Sequence, residues 1–400
     1  MRKIALLLSL FCGFLSACQQ QEEFVSAAED QNTNANARTA ALPNNVTATR
    51  LATLSKGVNL AHWFAQGTVS TSYIQGRNFG PTDFNYLKSI GIMHVRLPIS
   101  DLVLFQENNP SVLNPTYTGL LDNAINQILA SGLGVIVDFH PEEAFKQNVY
   151  TNKGGNFITK VSSFWGTLAK RYASKNANKL FFEVMNEPAS ENPQTWYTAQ
   201  TTIMKSIRTN APNQTIIADG NLRASINDWN GMTALRAITP STTDRNIVYN
   251  FHYYDAMVFT HQGATWGWGP LQYMKNVPYP SSTAAVAPIL AAITDQTARD
   301  AVAYYGTENW NYTKHYNSLK LMSDWAKAQN VSITCNEIGV YKLVAPSADR
   351  LVYLKDVRTA LQTLQIGWNV WEYDYGFGVA DTSPTGVRTV APAMKTTLGL

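Results

Sequence analysis

The sequence predicts an α/β protein folded as a single-domain (β/α)8 TIM barrel. Two patterns and their alternation lead there. From Ser55 onward, eight short runs of β-forming residues recur. Many are near-continuous apolar runs, as strands buried on both faces should be. Between them lie stretches with apolar residues at helical spacing, and strict alternation of the two patterns implies a parallel sheet with helices outside. Eight such units in about 350 residues fit a barrel with loop insertions. A doubly wound open sheet is the alternative. It usually carries a glycine-rich nucleotide turn after its first strand, and the sequence has none there.

In chain order, the strand signals are residues 56–61 (KGVNLA), 92–97 (IMHVRL), 134–139 (GVIVDF), 180–185 (LFFEVM), 215–219 (TIIAD), 246–252 (NIVYNFH), 331–337 (VSITCNE) and 366–371 (IGWNVW). The helix signals sit between them. Pro81 opens the stretch to Ile90, at a first-turn position where its missing N–H is harmless. Leu121, Ala124, Ile125, Ile128 and Leu129 share one face of 118–130, and Val161, Phe164, Leu168 and Tyr172 one face of 160–173. Stretches 192–209 and 316–329 read similarly, and 351–364 carries Leu351, Leu354, Val357, Leu361 and Leu364. The longest insertion, residues 253–315, separates the sixth and seventh strands and is expected to overhang the site. No repeat appears at a period of 20–50 residues, which argues against a solenoid or propeller.

The first 17 residues read as a cleaved signal. Met1-Arg2-Lys3 is a basic start, and Ile4 to Leu15 is an apolar run too short to span a bilayer. The ending Leu15-Ser16-Ala17-Cys18 resembles the bacterial lipobox, in which the cysteine becomes the lipidated first residue; the alternative is ordinary cleavage near Ala17 with a bystander cysteine. On the first reading Cys18 carries lipid and only Cys335 remains as a thiol. Residues 18–50 are rich in Gln, Asn, Ala and Thr, bury too little to offset ordering entropy, and are expected to tether a folded domain, 51–400, at a membrane. The predicted location is therefore the cell envelope, at the outer membrane or cell surface, with the lipid as the sole membrane contact.

With 45% hydrophobic and 15% charged residues the chain can build a large core. The formal net charge of +3 falls by two without Arg2 and Lys3, which leaves no electrostatic footprint for nucleic acid. Aromatic residues make up 11% of the chain, enough to suggest a surface that stacks on flat ligands. There is no metal-ligand spacing such as H-E-x-x-H and no G-x-S-x-G nucleophile turn, so neither a metal nor another cofactor is expected. Cys335, inside the seventh strand, reads as a small buried hydrophobe.

In a barrel the chemistry gathers where the strands end. Those ends supply Arg96, His140, Asn186, Glu187, His252, Tyr254, Glu337 and Trp371. A charged residue directly after a buried strand is unfavourable unless paired or used. Two carboxylates, Glu187 and Glu337, across one barrel mouth suit glycosidic hydrolysis, one as a protonated acid and the other ionised. Arg96 and a tyrosine hydroxyl beside Glu337 are expected to keep it charged, and that charge to raise the pKa of Glu187. Trp63, Trp266 and Trp268, with Tyr373, Tyr375 and Phe377, are candidate platforms for sugar rings. Packing under loops is the alternative for each.

From about residue 51 to its end the chain resembles family 5 of the glycoside hydrolases, the cellulase family of retaining barrel enzymes. The resemblance runs through Gly57-Val58-Asn59-Leu60, His94-Val95-Arg96-Leu97-Pro98, Val135-Ile136-Val137-Asp138-Phe139-His140, Asn186-Glu187-Pro188, Phe251-His252-Tyr253-Tyr254, Glu337-Ile338-Gly339 and Trp371. It implies that Glu187 is the acid/base and Glu337 the nucleophile. It further implies that Asn186 holds the sugar 2-hydroxyl, Arg96 and Tyr254 hold the nucleophile, and His252 orients the acid/base. His140 would bind a hydroxyl and Trp371 would floor the subsite where the ring distorts. One departure is Asn336, where the family often has glycine, and it leaves the local backbone geometry open. The resemblance implies an endo-acting β-glycosidase on a β-linked polysaccharide, an endo-β-1,4-glucanase first, and a monomer is expected. Mannan, xyloglucan and β-1,3-glucan are the alternative substrates in the family. A non-catalytic glycan-binding surface lipoprotein is the alternative of another class.

Overall fold

Eight parallel strands close on themselves in a computed structural model that describes residues 45–67, 69–221 and 231–400. They are β1 (Lys56–Asn59), β2 (His94–Ile99), β3 (Gly134–Phe139), β4 (Leu180–Glu183), β5 (Thr215–Asp219), β6 (Ile247–Tyr253), β7 (Ser332–Ile338) and β8 (Gly367–Val370). Neighbours pair in sequence order, and β8 returns to β1 through Lys56↔Trp368 and Val58↔Val370, so no edge stays open. Every expected strand is present. β2 runs two residues later than its apolar pattern, and β4 ends at Glu183, where the chain turns toward the site.

The helices start where the local chemistry says they should. Asn114 and Asn192 cap Pro115–Ala130 and Pro193–Asn210 by accepting the N–H groups of Thr116 and Gln194, and proline fills the first helical turn. Helix Phe157–Tyr172 buries Val161, Phe164, Leu168 and Tyr172, the expected stripe. Helix Ala48–Thr53 starts within the segment expected as tether and runs past its expected end at residue 50, and Arg50 docks it by donating to Thr215 at 3.0 Å and Asn246 at 2.8 Å.

Two-residue periodicity explains the barrel interior. Ile136, Phe181, Ile217 and Val248 point inward and form an apolar floor with Val46 and Leu54. Two residues further along the same strands the inward side chains turn polar: Asp138, Glu183, Asp219 and Asn250, all fully buried. The floor excludes water, at roughly 1.5–3 kcal/mol for each large apolar side chain. The polar layer above it is the base on which the site stands. The outward faces of the strands meet the helices in the main core.

At the top of β7 the register slips. Phe251 pairs with Cys335, but His252 pairs with Glu337, so Asn336 is an extra residue on that strand. A bulge of this kind re-aims side chains. Here it lets consecutive residues, Asn336 and Glu337, both reach buried partners inside the barrel. The insertion after β6 carries helices Met257–Thr260, Thr283–Leu290 and Gln296–Glu308, and it brings His261 and Trp266 to the barrel mouth as expected.

Candidate active site

Arg96, carried inward by β2, organises the polar layer. Its Nε donates to Glu183 Oε2 at 3.0 Å, and Nη2 to Glu183 Oε1 at 2.7 Å and Asn186 Oδ1 at 2.8 Å. Its Nη1 donates to Glu337 Oε1 at 2.7 Å and Asn59 Oδ1 at 3.0 Å, while Asp138 lies 2.9 Å from Nη2. One buried cation thus serves three carboxylates. Burial opposes its charge, but Asp138, Glu183 and Glu337 together push its pKa well above the ordinary value. The acids divide accordingly. Burial, only partly offset by Arg96, pushes Asp138 up to about 6 and raises Glu183.

Glu337 is recessed on β7, with Oε1 on Arg96 and Oε2 accepting the Tyr254 hydroxyl at 2.8 Å. The Asn336 departure has a physical account. Its amide donates to Glu183 at 2.6 Å and accepts from Thr334 at 3.0 Å and Asn369 at 3.1 Å, so the bulge residue is locked rather than loose.

Glu187 faces Glu337 from the loop after β4. Its side chain is 28% exposed against 6% for Glu337, so the acid/base candidate meets solvent and the nucleophile candidate does not. His252 Nδ1 donates to Glu187 Oε1 at 3.0 Å and lies 3.4 Å from Glu337 Oε2. Polar atoms of Glu187, His252 and Glu337 all fall within 4.8 Å of one another, close enough to share a cation. The expected upward shift of Glu187 does not occur. Burial does raise it, but the hydrogen bond and charge of His252, then Lys146 and His140, hold it at about 2. Burial lowers His252, and Glu337 and Glu187 more than reverse this. The pair therefore keeps its proton on the imidazole, hydrogen-bonded to Glu187.

His140 is neutral, held down to about 3 by burial and by Arg96. Its Nδ1 donates to Asp138 at 2.8 Å, which leaves Nε2 to accept from Asn186 Nδ2 at 3.1 Å and Gln66 Nε2 at 3.3 Å. Its hydrogen-bonding groups hold Asn186, and its ring stacks on Trp371 at 5.8 Å between centroids. Asn186 is thereby fixed from both sides, by Arg96 and by His140.

These residues open into a cleft of about 790 Å³. Trp371, Phe377, Tyr375, Trp266 and Tyr341 also line it, with His62 at its edge. Trp266 is half exposed and meets Tyr341 edge-on at 4.9 Å, as a platform needs. Three expected platforms do not line the cleft. Trp63 is 5% exposed, packed on Phe79 and Phe84, with its indole N–H on the Ile74 carbonyl at 3.0 Å; it is a core residue. Trp268 is exposed but does not line the cleft. Tyr373 is buried against Asp83. A second cavity of about 660 Å³ at the opposite end of the barrel has no carboxylate in its lining and no catalytic pair. Burial raises the Cys335 thiol well above its ordinary pKa, which agrees with an inert role. Cys18 lies outside the described residues.

Sequence reading missed Asp138, Glu183 and Asp219 as the layer beneath the site. The signal was there: an acid two residues after an apolar inward position in three successive strands. It also missed Lys146, whose ammonium donates to the Glu187 carbonyl at 3.1 Å.

Residues 61–376 match the family of cellulases, glycosyl hydrolase family 5. Endoglucanase 3 of Fibrobacter succinogenes is 28% identical over 348 residues, which are 82% of this chain and 50% of that protein. The chain thus spans half the length of that relative. Endoglucanase C of Acetivibrio thermocellus is 23% identical over 321 residues, 79% of this chain and 90% of that protein. A solved hyperthermophilic endo-beta-1,4-glucanase in complex with substrate has the same fold, with a TM-score of 0.69 at 23% identity over 88% of this chain and 98% of that one.

Proposed function

We propose that this chain, which belongs to glycosyl hydrolase family 5, the cellulase family, is a retaining endo-β-1,4-glucanase. The observation that carries the mechanism is that a carboxylate oxygen of Glu187 and one of Glu337 lie within 4.8 Å of each other across an open cleft. Retaining enzymes hold their carboxyl groups about 5–5.5 Å apart, whereas inverting ones need roughly 6.5–9.5 Å for a water. Glu337, gripped by Arg96 and Tyr254, attacks the anomeric carbon. The proton held by the His252–Glu187 pair goes to the leaving oxygen through Glu187. The covalent glycosyl-enzyme then loses its sugar to a water that Glu187 deprotonates. The names of the relatives, endoglucanases, support a β-1,4-glucan as substrate. A non-catalytic glycan binder has no use for such a pair.

The test combines stereochemistry and chain length. The first product released from cellohexaose is the β-anomer by NMR, and cellohexaose is cut faster than cellobiose. An α-anomer as first product, or action on disaccharides alone, would overturn the reading.

We also propose that the enzyme is anchored to the cell envelope through lipid on Cys18. The lipobox-like ending and the polar segment after it support this, and no helix among the described residues is long and apolar enough to cross a membrane. Cys18→Ala, expressed in a bacterium that processes lipoproteins, is expected to move the protein from the membrane fraction to the soluble one. Wild-type protein that is already soluble and carries no lipid by mass spectrometry sinks the anchor.

A further inference from the structure

Helix Glu143–Tyr150 turns Phe145, Lys146 and Val149 toward the protein interior. Lys146 is 7% exposed, yet among the described residues it forms no ion pair with a carboxylate. A buried ammonium without a counter-ion is unfavourable, and long lysine stems ordinarily let the charge escape to water. Here it points instead at the acid/base loop and donates to the Glu187 carbonyl at 3.1 Å. That backbone is unusual in itself: Glu187 has φ +44°, a left-handed conformation that a non-glycine residue holds only when its surroundings impose it. One turn along the same helix, the Tyr150 hydroxyl accepts the Ala189 N–H at 2.6 Å. The helix thus grips the loop at two points that bracket Pro188.

We propose that Lys146 is a positioning residue for the acid/base: it pins the left-handed backbone of Glu187 and places a fixed positive charge behind its carboxyl. The proposal rests on the reading of Glu187 as acid/base. The charged and titratable groups around Glu187 are Lys146 from this helix, Asp138 and His140 from β3, His252 and Tyr254 from the end of β6, His261 from the insertion and Glu337 from β7. Lys146 places its ammonium on the Glu187 backbone independently of the proton that the reaction uses. His252 gains its charge only by holding the proton that the reaction uses. A fixed cation favours release of the proton to the leaving oxygen whichever member of the pair holds it. Its removal leaves the pair more basic and the carboxyl less well aimed.

Lys146→Met and Lys146→Arg test this, on cellohexaose and on dinitrophenyl β-cellobioside, whose leaving group needs no proton. Lys146→Met is expected to lower kcat/KM on cellohexaose by about tenfold or more, within the range of general acid catalysis, and to leave the aryl substrate's glycosylation step nearly unchanged. The alkaline limb of its cellohexaose profile moves to higher pH, because loss of the cation favours the protonated pair. Lys146→Arg keeps the wild-type limb. The thermal midpoint of Lys146→Met stays level or rises, since an unpaired buried charge has gone. Equal losses on both substrates, or an unmoved limb, would overturn the proposal. Glu187→Ala in the same assays separates the two readings. If it spares the aryl glycosylation step while Lys146→Met moves nothing, Lys146 alone is misassigned. If Glu187→Ala loses both substrates equally, the acid/base reading falls with it.

Discussion

Glu337→Ala is expected to lower kcat on every glucan by a factor on the order of 10⁵ or more, because no covalent intermediate can form with any leaving group. The fold survives the change. Arg96 loses one of three carboxylate partners and keeps Asp138 at 2.9 Å and Glu183 at 2.7 Å, so its charge stays paired. Glu187→Ala fails differently. A dinitrophenyl glycoside still forms the glycosyl-enzyme, which then stalls for want of a base. Azide needs no base, so it restores turnover in Glu187→Ala and yields a β-glycosyl azide. In Glu337→Ala azide enters the space vacated on the opposite face and yields an α-azide. NMR of the two azide products reads the assignment directly. The same anomer from both variants would exchange or void the roles of the two glutamates.

The positions of the two glutamates were legible in the sequence because barrel chemistry collects at strand ends, and buried parallel strands announce their ends by the first polar residue after an apolar run. That logic located Arg96, Asn186, Glu187, His252 and Glu337. It located less well whatever depends on the direction of a side chain. Trp63 follows β1 just as a platform would, but the chain there turns it onto Phe79 and Phe84 instead of the cleft. Trp371 follows β8 and does face the cleft. Loop position alone does not separate the two. Asn336 read as a departure of uncertain effect, because a register slip is invisible until the partner strand is known; with β6 beside it, the residue becomes a clamp on Glu183. Lys146 gave no signal, since a lysine on an amphipathic helix ordinarily faces water.

Arg96→Met is expected to destabilise the protein by about 3–5 kcal/mol at pH 7 to 8, the usual consequence of leaving buried charges without their partner. Volume is nearly kept, so the loss reports charge rather than packing. Its pH dependence follows from the acids around it. Asp138 is already raised to about 6 in the folded protein, against about 3.9 for an ordinary aspartate. Between those values the folded state holds a proton that the unfolded chain has released, so stability falls as pH rises through that window. Glu183 is shifted in the same direction. Arg96 opposes both shifts, and without it both carboxyls climb further and the window extends toward neutrality. At pH 5 the acids in the variant are already protonated in the fold, and neutral carboxyls tolerate burial far better than charged ones. The gap between wild type and Arg96→Met in urea-unfolding free energy is therefore expected to be widest at pH 8 and to narrow at pH 5. A gap of equal size at both pH values would mean that Arg96 acts through its packing and hydrogen bonds, and that the three acids do not depend on its charge.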